Sequence, residues 1–200
     1  MKIRAYTLAV HVGHAPCWMY DKSQNCELLT LANCKPRIRE AAVVGEWIAG
    51  ITPKAMGMGM AYLMQVDERL TRREYWERFQ RSRHDSIYKP LTHGRWKQLK
   101  NPWHVDDESQ QHDLSSEWVL LSTKFFMYSN SYRKGEVGLN GLALPDAFSE
   151  LSKERMRGAG HFIEVSDAFL PWVRKQPMLG LDDFVVLSDF GRKGCGCCDE

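Results

Sequence analysis

In the stretch CKPRIREAAVVGEWIAG, Cys34 to Gly50, a thiol and three cations fall within six residues and an apolar run follows. Read as extended chain, Cys34 to Arg39 places Lys35, Arg37 and Arg39 on one face, because side chains alternate with period two. Cys34, Pro36 and Ile38 then face the other way. A row of cations suits phosphate oxygens, which arginine's planar fork grips in pairs. The plainer alternative is a solvated charged edge that keeps a strand from unwanted pairing. Cys34 is also a candidate nucleophile, since flanking Lys35 and Arg37 favour the thiolate. A base such as His104 or His112 would have to reach it through the fold. Against catalysis stands the common role of a free cysteine as a small buried residue.

Further along, Arg95-Trp96-Lys97-Gln98 combines a ring, cations and an amide. That mixture holds an exposed nucleobase, the ring stacking on its face and the amide reading its edge. Trp47 is a second ring available to a base, and either tryptophan could equally be core. His112-Asp113, with Asp106-Asp107-Glu108 before it, offers an acid/base set or a magnesium-binding face; a plain acidic loop is the alternative. His11, His14, Cys17, Cys26 and Cys34 are scattered ligand types without the paired spacing of zinc sites, so no metal site is expected. No glycine-rich phosphate loop occurs, and no motif names a cofactor.

Several elements must position these groups. Ile3 to Val12 reads as a first strand, Gly13 to Asn25 as a loop, Ala42 to Ile51 as a strand with a turn or bulge at Gly45, and Met60 to Val66 as a third strand. Thr71-Arg72-Arg73-Glu74 has the form of a capping box, opening a short helix with Tyr75 and Phe79 on one face. Ile87 to Gln111 shows little periodicity and reads as a long loop, and Trp118 to Tyr128 as a strand again. Pro145 opens a helix to Met156. Phe162, Val165, Phe169, Trp172 and Val173 recur at helical spacing, broken by Pro171, and Phe184 to Leu187 reads as a last strand. Strands without regular β-α-β alternation predict an α+β fold, a single domain over 1–190 with a curved, mostly antiparallel sheet or barrel and flanking helices. Residues 191–200 form a flexible Cys/Gly-rich tail.

Composition is that of an ordinary globular protein: 200 residues, 44% hydrophobic and 26% charged, with a net charge of +2. The cations nevertheless cluster, with six arginines from Arg69 to Arg83 against Glu74 and Glu77. No apolar run is long enough for a membrane span, and the start lacks a secretory signal. Six unevenly placed cysteines without such a signal read as reduced thiols in a cytoplasmic protein.

The ordered motifs LTLANCKPRIREAAVVGEWIAG, EYWERF, DSIYKP, RWKQ, HDLSSEWVLLSTKFFMYS and RGAGHF resemble the nucleotide modification associated domain family, type two, from about Tyr6 to Gln176. Three features depart from the family pattern: Leu29 stands where a second cysteine is usual, Pro171 falls inside the last helix, and the tail GRKGCGCCDE matches nothing in it. The resemblance implies bacterial or phage systems that make or handle modified nucleobases in DNA. Nucleic acid or nucleotide would be the partner, and base-modification enzymes the companions. A looser likeness to the base-binding PUA-like barrels (the EVE, ASCH and YTH branches) implies an aromatic-lined base pocket near Cys34 to Arg39, Trp47, Trp96 and Trp103. Two functions stay open: a module that recognises a modified nucleobase or nucleotide, and an enzyme that acts on one.

Overall fold

The computed structural model describes residues 1–8, 16–54, 57–101, 104, 106–129, 141–152 and 160–180. Apolar runs set the first strands, β1 (Lys2–Thr7), β2 (Cys17–Asp21) and β3 (Cys26–Leu31), of which β2 and β3 pair as an antiparallel hairpin. The expected loop over Gly13 to Asn25 therefore contains a strand. A short helix α1 (Pro36–Ala41) leads to β4 (Trp47–Ile51), β5 (Met60–Gln65) and β6 (Glu68–Thr71). The segment from Ala42 to Glu46 is not strand, because the end of α1 and a turn at Gly45 (φ 88) occupy it.

Helix α2 (Arg72–Phe79) begins with the capping box its sequence announces. Thr71 Oγ1 accepts from the Glu74 amide, and Glu74 Oε2 accepts from the Thr71 amide at 2.7 Å. The expected loop over Ile87 to Gln111 instead holds β7 (Tyr88–Pro90), β8 (Trp96–Gln98) and most of α3 (Asp107–Leu114). The Trp118 to Tyr128 run divides at Thr123 into β9 (Trp118–Ser122) and β10 (Lys124–Met127). Thr123 gives its amide and hydroxyl to Asp67 Oδ2, each at 2.7 Å, which fixes the bend.

A 3-10 helix, Asp146–Ser152, falls where the Pro145 helix is expected. The single helix expected through Phe162 and Val173 is two elements, strand β11 (His161–Glu164) and one-turn helix α4 (Phe169–Val173). Pro171 is tolerated in α4 because the first turn of a helix has no use for its missing N–H. The expected strand at Phe184 to Leu187, the boundary at 190, the tail, His11, His14 and Trp103 lie outside the described residues.

The fold is α+β, with curved, mostly antiparallel sheets and flanking helices. Five strands form one sheet in the order β10-β5-β4-β1-β11, parallel only between β1 and β4, and four form a second in the order β2-β3-β9-β6. The sequence suggests one continuous sheet through Trp118 to Phe126, but the bend at Thr123 sends β9 and β10 into different sheets. The described pairings close no barrel.

Between the two sheets lie Tyr6, Trp18, Leu29, Leu31, Ile48, Met64 and Leu120, with Ile38 and Ala42 of the α1 segment. The outer face of the five-stranded sheet is covered by Phe148, Leu151, Phe169 and Val173, and that of the four-stranded sheet by Tyr75 and Phe79 of α2. Each such apolar side chain withdrawn from water stabilises the fold by about 1.5–3 kcal/mol. Glycine is required at Gly50, where a Cβ would stand 2.2 Å from Cε1 of the buried Tyr62 ring. That ring is fixed in turn by a hydroxyl bond to Tyr6. Among the described residues no helix is long and apolar enough to cross a membrane.

Candidate active site

Cys34 to Arg39 is not extended, so the alternation of Lys35, Arg37 and Arg39 along one face does not exist. Pro36, with φ already fixed near the helical value, opens α1, and Ile38 and Ala42, four apart, both turn into the core. Cys34 (φ 54) and Lys35 (φ 42) join β3 to this helix in left-handed backbone, which non-glycine residues adopt at a cost. The three cations consequently part company. Arg37 is exposed, while Lys35 is buried with Nζ 5.8 Å from the centre of the Tyr6 ring.

Arg39 is entirely buried. Its Nε donates to the Cys34 carbonyl at 2.9 Å and its Nη2 to the Asp113 carbonyl at 2.7 Å. Its Nη1 serves the carbonyls of Trp118 at 2.5 Å and Ser116 at 3.3 Å. Burial, and then Arg72, lower its proton affinity, with Asp113 opposing them. Its fork is spent on backbone oxygens, joining the turn before α1 to the end of α3.

That junction brings together three chemical groups. Cys34 Sγ lies 3.4 Å from His104 Nε2, and His104 Nδ1 lies 2.5 Å from Asp113 Oδ2. All three residues are buried. Asp113 also accepts from the Cys34 amide through Oδ1 at 2.5 Å and from the Tyr88 hydroxyl through Oδ2 at 2.8 Å. The backbone around His104 is anchored as well. Its amide donates to Asn101 Oδ1 at 2.7 Å, and its carbonyl accepts from Gln98 Nε2 and from Asn101 Nδ2. Arg72, buried beside the Tyr88 ring, donates to the carbonyls of Ala32 and Asp113 and to Asn33 Oδ1.

Of the residues singled out in the sequence, the fold therefore gathers Cys34 and His104, with Arg39 behind them and Gln98 holding the His104 carbonyl. His112 is half-buried, and Nε2 of its ring meets no hydrogen-bond partner among the described residues. Burial lowers its proton affinity, against the pull of Asp113, and Arg39 and Lys35 add to the effect. Its neighbour Asp113 supplies the contact to the triad. Trp47 lies elsewhere: it stacks on Phe126 (centroids 6.5 Å apart) and packs on the outer face of the five-stranded sheet. Trp96, half-exposed, shares a face of β8 with Gln98, two residues on. Asp106 caps α3 by accepting from the Ser109 amide at 2.7 Å, and Asp107 and Glu108 occupy its first turn, where negative charge is favoured. The acidic segment thus begins a helix. Tyr88, Asn33 and Asn101 had no signal in the sequence, since each acts through a contact distant along the chain or with backbone.

One sulfur, one nitrogen and one oxygen of Cys34, His104 and Asp113 all fall within 4.8 Å of one another, the span of a metal site. The ring nitrogens argue for a different use. Nε2 faces the thiol and Nδ1 faces the carboxylate, so the imidazole bridges the two, and an ion taking one ring nitrogen would displace one of these contacts. A chain of thiol, imidazole and carboxylate can relay a proton: the imidazole takes the thiol proton, and the carboxylate fixes its tautomer and steadies the imidazolium.

Burial pushes the Asp113 carboxyl upward, but the His104 contact, with Arg72 and Arg39 beyond it, outweighs burial and holds it at about 2. A carboxyl held below its ordinary value of 3.8 adds stability that is present in full above that value and is lost as pH falls towards 2. The contribution is about 2 kcal/mol. In urea denaturation between pH 2 and 7, the wild-type protein should lose that amount more than Asp113→Asn does. Parallel pH profiles for the two would show that the carboxylate is not held this way.

Residues 1–155 match the family model described as nucleotide modification associated domain 2, and the chain belongs to that family. The family's name ties it to nucleotide modification. None of the curated proteins and none of the solved structures matches the chain.

Proposed function

We propose that the protein is a cysteine-dependent enzyme that acts on a nucleobase or nucleotide in base modification, with Cys34 as nucleophile, His104 as general base and Asp113 as the group that orients it. The Cys34–His104–Asp113 chain carries this reading. His104 Nε2 removes the Sγ proton, the thiolate forms a bond to an electrophilic carbon of the substrate, and the imidazolium returns the proton to the atom that gains electrons. The exposed Arg37, three residues from the nucleophile, provides positive charge for a phosphate. Trp96, on the strand whose Gln98 holds the His104 carbonyl, offers its ring to the base, a contact worth about 1–3 kcal/mol. Arg39 is withdrawn from the phosphate role because its donors are committed to carbonyls.

A second reading, recognition of a modified nucleobase without chemistry, draws on the depth of the triad: Cys34 is 3% exposed and its partners are wholly enclosed. Intact-mass spectrometry separates the two. The protein is incubated with each deoxynucleoside monophosphate and with single-stranded oligonucleotides bearing normal and modified bases, then quenched in acid. A nucleotide adduct on Cys34, or an altered nucleoside in the recovered substrate, is expected and should vanish in Cys34→Ala. Nucleotide retained without adduct or altered base would favour the recognition reading, and neither binding nor chemistry would overturn both.

A further inference from the structure

A cavity of about 420 Å³ lies between the end of the β2–β3 hairpin and the end of α2, lined by Tyr20, Asp21, Lys22 and Ser23 on one side and Arg78, Phe79, Ser82 and Arg83 on the other. None of the triad residues lines it. Its volume is in the range of small-molecule sites. Asp21 is 92% buried by surface area (8% exposed), and its two oxygens have different fates. Oδ1 accepts from the Ser23 amide at 2.9 Å and from the Ser23 hydroxyl at 2.6 Å, whereas Oδ2 is buried without a hydrogen-bond partner among the described residues. Burial disfavours the charge, but the Ser23 hydroxyl and amide, the Gln24 amide and the Arg78 charge outweigh it and hold the carboxyl ionised, which leaves Oδ2 a charged acceptor for a donor from a ligand.

The remaining charge in the cavity is positive. Arg83 is committed to Tyr75, Thr30, Asp85 and the Cys17 and Leu28 carbonyls, so it forms a fixed floor. Arg78 lies nearer solvent, bonded through one Nη to Glu68 at 2.6 Å, and Lys22 is exposed at the opposite rim. Tyr20, 46% exposed, brings a flat ring held by its hydroxyl bond to Asn25.

We infer that this cavity is a second ligand site, for an amino-bearing mononucleotide. The exocyclic amino group donates to Asp21 Oδ2, the base lies against Tyr20, and the phosphate meets Lys22 and Arg78. The choice of a nucleotide over another phosphorylated amine rests on the nucleotide reading above; the site itself does not rest on Cys34 chemistry.

Titration calorimetry of the full chain with deoxycytidine monophosphate tests it, with thymidine monophosphate, deoxycytidine and inorganic phosphate as comparisons and Cys34→Ala protein run in parallel. Binding of deoxycytidine monophosphate should be unchanged in Cys34→Ala and weaken by about tenfold in Arg78→Ala. Asp21→Asn, which keeps an acceptor for Ser23, should bring cytidine and thymidine monophosphates to equal affinity. Inorganic phosphate binding as tightly as the nucleotide, or nucleotide binding indifferent to both Arg78→Ala and Asp21→Asn, would overturn the assignment, as would no binding at millimolar nucleotide. Binding indifferent to Arg78→Ala and Asp21→Asn but weakened by Trp96→Ala would place the nucleotide at the triad and overturn this site while leaving the proposed function standing.

Discussion

Replacing Arg39 with alanine should cost the protein about 4 kcal/mol, enough to leave much of it unfolded, while the same change at Arg37 should shift stability by less than about 0.5 kcal/mol. The two residues share one short helix in opposite circumstances. Arg37 is exposed, and its removal leaves no buried group unpaired. Arg39 is enclosed and satisfies the carbonyls of Cys34, Asp113, Ser116 and Trp118. Its loss would leave those acceptors buried near one another, each costing about 1–3 kcal/mol if no water replaced the guanidinium, so partial hydration sets the net figure. Arg39→Lys would keep the charge and lose the fork, and should recover only part of the loss. Urea denaturation of the three variants gives the comparison. An Arg39→Ala protein within about 1 kcal/mol of wild type would mean that the guanidinium is dispensable to the fold and would return it to consideration as a phosphate ligand.

The second large effect concerns the thiols. Peptide mapping after a brief pulse of iodoacetamide at pH 7 should find Cys34 modified well ahead of Cys17, despite the burial of both. Burial, with Asp85 adding to it, pushes the Cys17 thiol up to about 12, so that at neutral pH it holds almost no thiolate. Cys34 instead has an imidazole 3.4 Å from its sulfur to take the proton. His104→Asn should slow Cys34 modification by about a hundredfold, the lower end of what a positioned base contributes, without changing the rate at Cys17. The same variant should slow formation of the nucleotide adduct by a comparable factor. Equal rates at the two thiols in wild-type protein would count against His104 as a base, since burial alone would then govern both.

Features set by neighbours along the chain are legible in the residues themselves. The Thr71–Glu74 cap needs only a hydroxyl and a carboxylate three residues apart, and Tyr75 and Phe79 meet because residues four apart share a helical face. The apolar runs at Lys2–Thr7, Trp47–Ile51 and Met60–Gln65 likewise form strands. Sequence misleads where two periods fit one segment. Alternating cations suggest an extended chain over Cys34 to Arg39, yet the same residues place Ile38 and Ala42 four apart, and burial of that pair with Pro36 at the first helical position prevails. Helix α3 has no apolar stripe to betray it; Asp106 starts it, and Asp113 anchors its last turn through side-chain bonds.

The candidate site is partly legible, because thiol and imidazole can be named as residue types. Their meeting cannot be read, since 70 positions separate Cys34 from His104 and the bonds that join them run through buried backbone carbonyls. Nor can sequence choose between His112 and Asp113. Adjacent residues on a helix point about 100° apart, and only the packing of α3 determines which one turns inward.

Cys34 is held at three points, and only one of them is its sulfur. Its amide is bound by Asp113 and its carbonyl by Arg39, so the backbone that presents the thiol is fixed independently of the side chain. Cys34→Ala is therefore a faithful copy of the site: His104, Asp113 and the backbone contacts around them stay in place while the sulfur alone is removed. Such a copy is a natural bait. Soaked in an extract of small molecules or in digested DNA, it would, on the enzymatic reading proposed above, retain the substrate, and the retained molecule could be identified by its own mass.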